Sequence, residues 1–196
     1  MKYFFRITMF IIFINAACFS QVKIIINNYN GTSAMFNLAD IKSITFISNL
    51  IKNGDFSDSL NNWSLIGVGI NPYHPADPGR ADFTVNNGMI SIDIKNQGIG
   101  IWSVMLYQSV NFEKGNIYTV SFDAKSDFPC QIISNITQDG TYNNFSGDKK
   151  INLTNIMSNY SYEFLMNSDS AALFQLCLGT LGTGKLYFDN IVVIKK

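Results

Sequence analysis

Residues 102–124 read WSVMLYQSVNFEKGNIYTVSFDA, and this stretch decides the fold. Tyr118, Val120, Phe122 and Ala124 fall on alternate positions, so a strand through them buries one face. Glu113-Lys114-Gly115 supplies a tight turn ahead of that strand. Before the turn, Val104 and Leu106 alternate in the same way. Carried through, simple alternation places Trp102 and Gln108 on their face as well, where a buried amide would need partners. Helical three-four periodicity is almost absent, here and elsewhere in the chain.

Working outward, short apolar or alternating runs recur between Gly, Asn and Asp. They lie at 22–26, 44–47, 89–94, 118–124, 132–138, 161–166, 172–178 and 186–194. Many short strands with turn residues between them predict an all-β sandwich or barrel. A boundary falls near Asn49. Ahead of it, residues 21–49 form a short leader with the strand-like run 22–26, the turn Asn30-Gly31 and the run 44–47. An isolated hairpin is marginal in water, so this leader is expected to pack on the main domain or on a neighbour. The main domain spans 50–196, long enough to bury a sizeable core. Residues 71–80, NPYHPADPGR, hold three of the four prolines and predict a long loop.

The first twenty residues have the composition of an export signal. Lys2 and Arg6 give a positive start, Met9 to Phe13 an apolar stretch, and Ala16 and Ala17 a small-residue end. Cleavage after Ser20 predicts a secreted or cell-surface protein beginning at Gln21. Lipidation at Cys18 is the alternative, weakened by Asn15 where a lipobox usually has Leu. No later segment reaches the roughly 18 apolar residues of a membrane span. Without residues 1–20 the chain keeps 12 basic and 14 acidic residues, net −2. It has no basic stripe, which argues against nucleic-acid binding. Low charge with many amides and rings (14% charged, 14% aromatic) suits a neutral polar ligand such as a sugar.

Catalytic constellations are missing. The chain has two glutamates, Glu113 in a turn and Glu163 in a distant strand, which do not recommend themselves as a glycosidase pair. The single histidine, His74, sits in the proline-rich loop, and no nucleophile elbow occurs. GTLGTGKL at 179–186 has phosphate-loop spacing as far as Lys185, but Leu186 replaces the Mg²⁺-binding hydroxyl and a strand follows. Beyond the leader, Cys130 and Cys177 remain, either as one disulfide or as two thiols. With one histidine they cannot make a zinc site.

Five segments share their order and spacing with a known family: IKNGDFSDSLNNW at 51–63, the 102–124 stretch, TQDG at 137–140, FQLCLG at 174–179 and LYFDNIVV at 186–193. Over 51–196 the chain resembles carbohydrate-binding modules of families 4 and 9, which accompany cellulases, xylanases and laminarinases. The resemblance implies a galactose-binding-like fold, a jelly-roll β-sandwich of two antiparallel sheets with one concave binding face. It further implies non-catalytic binding of a polysaccharide or oligosaccharide chain of the β-glucan or xylan type, and a glycoside hydrolase acting on the same glycan as a partner. A protein-interaction or cell-surface structural module on the same fold is the alternative.

The resemblance also supplies candidate residues. Sugar rings stack on flat aromatics, and their hydroxyls need amides at fixed positions. Trp102 is the expected aromatic platform, with core burial as its other possible fate. Gln108, Gln138 and Gln175 are the expected amides, and Tyr142 a second stacking ring. Alignment on FQL selects Gln175, whereas alignment on the final LG selects Cys177. Trp63, following NGDF, is expected to plug one end of the core. The chain departs from the family at Ile66, Met105 and Ile133, where an aromatic, an amide and an arginine are frequent; Tyr73 or His74 would have to replace a missing platform. A structural Ca²⁺ is implied at Asp55, the carbonyl of Gly88 and Asp189, because calcium takes carboxylate and carbonyl oxygens.

Overall fold

The structure, a computed structural model, describes residues 23–27, 33–37, 48–141 and 143–196. The expected export signal, the run at 44–47 and Tyr142 lie outside those residues. The chain divides into two units, residues 1–46 and 47–196. In the first, β1 (Lys23–Asn27) pairs antiparallel with β2 (Ser33–Asn37).

The second unit contains β3 (Ser64–Ile66), β4 (Arg80–Asn86), β5 (Met89–Asn96), β6 (Met105–Phe112), β7 (Ile117–Ser126), β8 (Cys130–Gln138), β9 (Lys149–Leu153), β10 (Ser158–Leu165), β11 (Ser170–Cys177) and β12 (Gly184–Lys195). One antiparallel sheet has the order β10-β7-β12-β5-β4 and the other β3-β6-β11-β8-β9. From β6 onward the chain crosses repeatedly between the two sheets, the connectivity expected of a jelly roll. Tyr118, Val120, Phe122 and Ala124 of β7 face Leu106, Val110 and Phe112 of β6 and Phe174 and Leu176 of β11 within one buried cluster. Alternation along each strand produces this core, and burial of its apolar side chains drives the two sheets together. Among the described residues no helix is long and apolar enough to cross a membrane.

The segment before β3 is sewn onto β12. Asn49 Nδ2 donates to Ile191 O, and Asn49 Oδ1 accepts from the N–H groups of Ile51 and Val193. Ile191 N–H donates to Gly54 O at 2.8 Å. A Cβ on Gly54 would lie 2.0 Å from Ile191 O, so only glycine allows this approach. Trp63 plugs the core as expected: it stacks on Phe56 at 5.4 Å, meets Phe174 edge-on at 6.2 Å, and donates from Nε1 to Asn53 O.

Gln108 is a correction to the sequence expectation. Its side chain shares the buried face of β6 with Leu106 and Val110. There Oε1 accepts from Lys52 N–H at 2.7 Å and Nε2 donates to Lys52 O at 2.9 Å. An amide can lie in an apolar layer when both its ends bond a backbone peptide. Gln108 is therefore a clamp on the N-terminal segment, on the core side of the sheet.

Cys130 and Cys177 are free thiols. Cys130 packs against the inter-sheet core, whereas Cys177 belongs to a separate cluster with Ile66 and Met105.

Candidate functional site

The outer face of the β3-β6-β11-β8-β9 sheet carries a groove of about 410 Å³. Cross-strand register arranges the side chains of this sheet face in rows, most of whose members line the groove. In the first row, Ile66 pairs with Met105, Met105 with Cys177 and Cys177 with Ile133. The second runs Ser64, Tyr107, Gln175, Asn135. The third runs Ser109, Leu173, Thr137, Asn144. Beyond the first row stand Ile101 and Trp102, joined by Asn71, Tyr73 and His74 of the proline-rich loop; beyond the third stand Gln138, Asp139 and Gly140. The lining thus draws on residues from both ends of these strands.

Trp102 lines this trough and is 40% exposed. Simple alternation would have sent it inward with Val104 and Leu106, and the structure corrects that. Residues 101–103 form a 3-10 turn, which breaks the strand periodicity just before β6. The indole lies against Gly100, where a Cβ would come within 2.4 Å of the ring, and His74 sits 5.2 Å from it, ring to ring. GIGIW is thus a platform motif in which glycine makes room for the ring.

Asp77 fastens the proline-rich loop to this platform. It is buried, and its Oδ1 accepts from Gly79 N–H at 3.0 Å and Ile99 N–H at 3.4 Å, while Asn71 Nδ2 approaches Oδ2 at 3.4 Å. Asn71 Oδ1 in turn accepts from the N–H groups of Tyr73 and His74. Burial pushes the Asp77 carboxyl up, but hydrogen bonds from Ser103, Gly79, Ile99 and Asn71 outweigh it and hold the group below its ordinary value.

Of the predicted binding residues, Trp102, Gln138 and Gln175 meet in the trough. Gln108 is elsewhere, and Tyr142 lies outside the described residues. Both readings of FQLCLG prove local to the site, because Gln175 and Cys177 occupy neighbouring rows. Ile66, Met105 and Ile133, scattered in sequence, come together with Cys177 in a single apolar row. Burial, and secondarily the charge of Asp148, pushes the Cys177 thiol up to about 12, so it stays protonated and unreactive. Tyr107, Asn135, Thr137 and Asn144 were not foreseen. The signal was present in β8, where Ile133, Asn135 and Thr137 alternate against Ile132, Ser134 and Ile136. Ser134 hid it by placing a hydroxyl on the core side, where it pairs with Tyr162 OH at 2.9 Å.

Three segments bring the predicted calcium residues to one region. Asn87 and Gly88, with φ of +51° and +76°, make the β4–β5 turn. A Cβ on Gly88 would lie 3.2 Å from Asp55 O. Asp189 sits at a bulge in β12, and burial raises its carboxyl; Asn190 N–H works against that, and the charges of Asp123 and Asp55 add to it. The Asp123 carboxylate accepts from the Asn159 and Asn190 amides. Among the described residues no three His, Cys, Asp or Glu side chains group tightly enough to hold a metal. A cation here would draw on two carboxylates and on backbone carbonyls, a hard-oxygen set that fits Ca²⁺.

A β-sandwich with a trough of rings, amides and apolar side chains defines a module that binds a ligand on one sheet face. The chain belongs to the carbohydrate-binding domain family of modules 4 and 9, which matches residues 48–183. No curated protein matches. Among solved structures, one described as "CBM4 structure and function" has 26% identity and a TM-score of 0.67, covering 74% of this chain and 99% of that one. The second N-terminal cellulose-binding domain of Cellulomonas fimi β-1,4-glucanase C has 18% identity and a TM-score of 0.57, over 79% and 98% of the chains. Its first N-terminal cellulose-binding domain has 16% identity and a TM-score of 0.56, over 76% and 97%. The protein is a non-catalytic carbohydrate-binding module on a jelly-roll sandwich.

Proposed function

We propose that the trough holds a single β-glucan or xylan chain, lying across the strands with one sugar stacked on Trp102. The observation that carries this reading is the meeting of an exposed indole with Gln138 and Gln175 in one groove. The sugar's C–H face leaves water against the ring while its hydroxyls bond the amides. Likeness to the cellulose-binding domains of Cellulomonas fimi and to a xylan-binding domain of Paenibacillus barcinonensis supports the choice of glycan class. Ile66, Met105 and Cys177 give the trough an apolar flank that favours sugar C–H groups over hydroxyls. The proposed setting is extracellular, after removal of residues 1–20, beside a glycoside hydrolase acting on the same glycan. We infer further that Ca²⁺ is held by Asp55, the Gly88 carbonyl and Asp189, as a structural ion away from the trough.

Affinity electrophoresis in β-glucan and xylan gels tests the main reading. Retardation that disappears in Trp102→Ala supports it. A wild-type protein that runs freely through every glucan, xylan, mannan and alginate gel overturns it, and favours protein interaction instead.

A further inference from the structure

Asn135 is the polar group of the trough whose state is least like that of an ordinary buried amide. It lies on β8 in the second row, between Gln175 and the β9 side, and is 4% exposed. Its Nδ2 donates to Asp148 Oδ1 at 2.8 Å. Its Oδ1 is buried and has no hydrogen-bond partner, the one such side-chain atom among the described residues. Buried polar atoms are nearly always paired, and an unpaired carbonyl costs about 1–3 kcal/mol. Rotating the amide would not relieve this, because it would turn Oδ1 toward the Asp148 carboxylate. Asp148 also accepts Asn144 Nδ2 at 2.7 Å, so one exposed carboxylate fixes two groove amides in the same sense. Both are held by their NH₂ groups, leaving carbonyl oxygens for whatever fills the trough.

We propose that Asn135 Oδ1 is a specificity-determining acceptor, kept unpaired by Asp148 so that it receives a hydrogen bond from a sugar hydroxyl. This rests on the glycan reading above and sharpens it. The ligand must present a donor at this point of the floor. A ring position carrying hydrogen, fluorine or an ether substituent leaves the carbonyl unpaired and is rejected, because a site built to pair a hydroxyl penalises its absence. The neighbouring apolar row has no such acceptor, so discrimination among hydroxyls falls on the row of Tyr107, Gln175 and Asn135. The residue is a binding group, and Asp148 is a positioning residue that acts through it.

The test uses the full chain, calorimetry and three probes: cellohexaose, xylohexaose and laminarihexaose. Asn135→Leu removes the unpaired carbonyl at similar volume, and Asp148 stays solvated. The expected result is a melting temperature equal to or above wild type, with about tenfold weaker binding of the preferred hexaose. Asp148→Ala, an exposed change, is expected to weaken binding severalfold while the fold is retained. In a set of monodeoxyfluoro derivatives of the preferred sugar, one substitution should cost wild type about tenfold and cost Asn135→Leu nothing further. Unchanged affinity in Asn135→Leu, or equal losses in wild type and variant for every fluoro sugar, overturns the inference while glycan binding stands. If Asn135→Leu does not fold, the fluoro series on wild type against Asp148→Ala decides the matter. Failure of wild type to bind any probe overturns both readings together.

Discussion

The outer faces of the two sheets are built from the same strand geometry and treat their polar groups in opposite ways. On the β10-β7-β12-β5-β4 sheet, polar side chains are matched to one another. Lys95 bonds Asp93 at 2.6 Å, Asn159 and Asn190 bond Asp123, Tyr187 OH bonds Asp127 at 3.2 Å, and Lys125 lies over the Tyr187 ring. On the β3-β6-β11-β8-β9 sheet, no side-chain hydrogen bond among the described residues engages Gln175 or Asn135 Oδ1 of the trough. Groups that satisfy each other have little left to offer a ligand. A binding face is recognised by what its own neighbours leave unmatched.

The sharpest way to break this contrast is to alter one residue on each face. Trp102→Ala should weaken glycan binding by about 2 kcal/mol, near thirtyfold, since a stacked ring loses both its apolar contact and its shape. Tyr187→Ala and Lys95→Ala, on the matched face, should leave affinity unchanged in the same titration. Equal losses on both faces would remove the distinction.

Asp77 comes next. Asp77→Ala strips partners from the Gly79 and Ile99 amides and should cost roughly 2 kcal/mol of stability, measured by denaturant unfolding. It should also loosen His74 from Trp102 and change the indole fluorescence. Because the folded Asp77 carboxyl lies below its ordinary value, its contribution is complete above about pH 4 and fades as pH falls through the lower folded value. A wild-type loss of stability below pH 4 that is reduced in Asp77→Asn is the expected signature.

Asp189 should behave with the opposite sign and the smallest effect. Its carboxyl is raised, so without a cation it penalises the folded state increasingly as pH rises through the folded value. Ca²⁺ should reverse this: melting temperature rises with added calcium at pH 7 and falls with chelator. In Asp189→Asn both responses should shrink, and the chelated variant should melt no lower than chelated wild type. A wild-type melting temperature indifferent to calcium would leave the site without an ion.

Much of the sandwich was legible because alternation survives in the central strands. Tyr118 to Ala124 carried the reading, and β7 is paired on both sides. The missing strands were β3, β4 and β9, all at sheet edges. Edge strands bury less and carry mixed sequences such as KKINL, so their period is faint. Trp102 was legible as a residue and illegible as a geometry, because a 3-10 turn resets the face in a way that period-two counting cannot see. Gln108 failed for the complementary reason: alternation placed it correctly inward, and the resemblance pulled it outward. The trough's apolar row was visible as three separate departures, at Ile66, Met105 and Ile133. Their adjacency is a property of register, which depends on pairings far apart in sequence.

Four neighbouring strands, β3, β6, β11 and β8, contribute to the lining of the trough, so backbone hydrogen bonding sets its spacing. Neighbouring strands stand about 4.8 Å apart. With the glycan lying across the strands as proposed, β3, β6, β11 and β8 would act as graduations on a ruler. Lengthening the oligosaccharide should tighten binding in steps up to about four units and then stop, since no described residue of the next strand, β9, lines the trough.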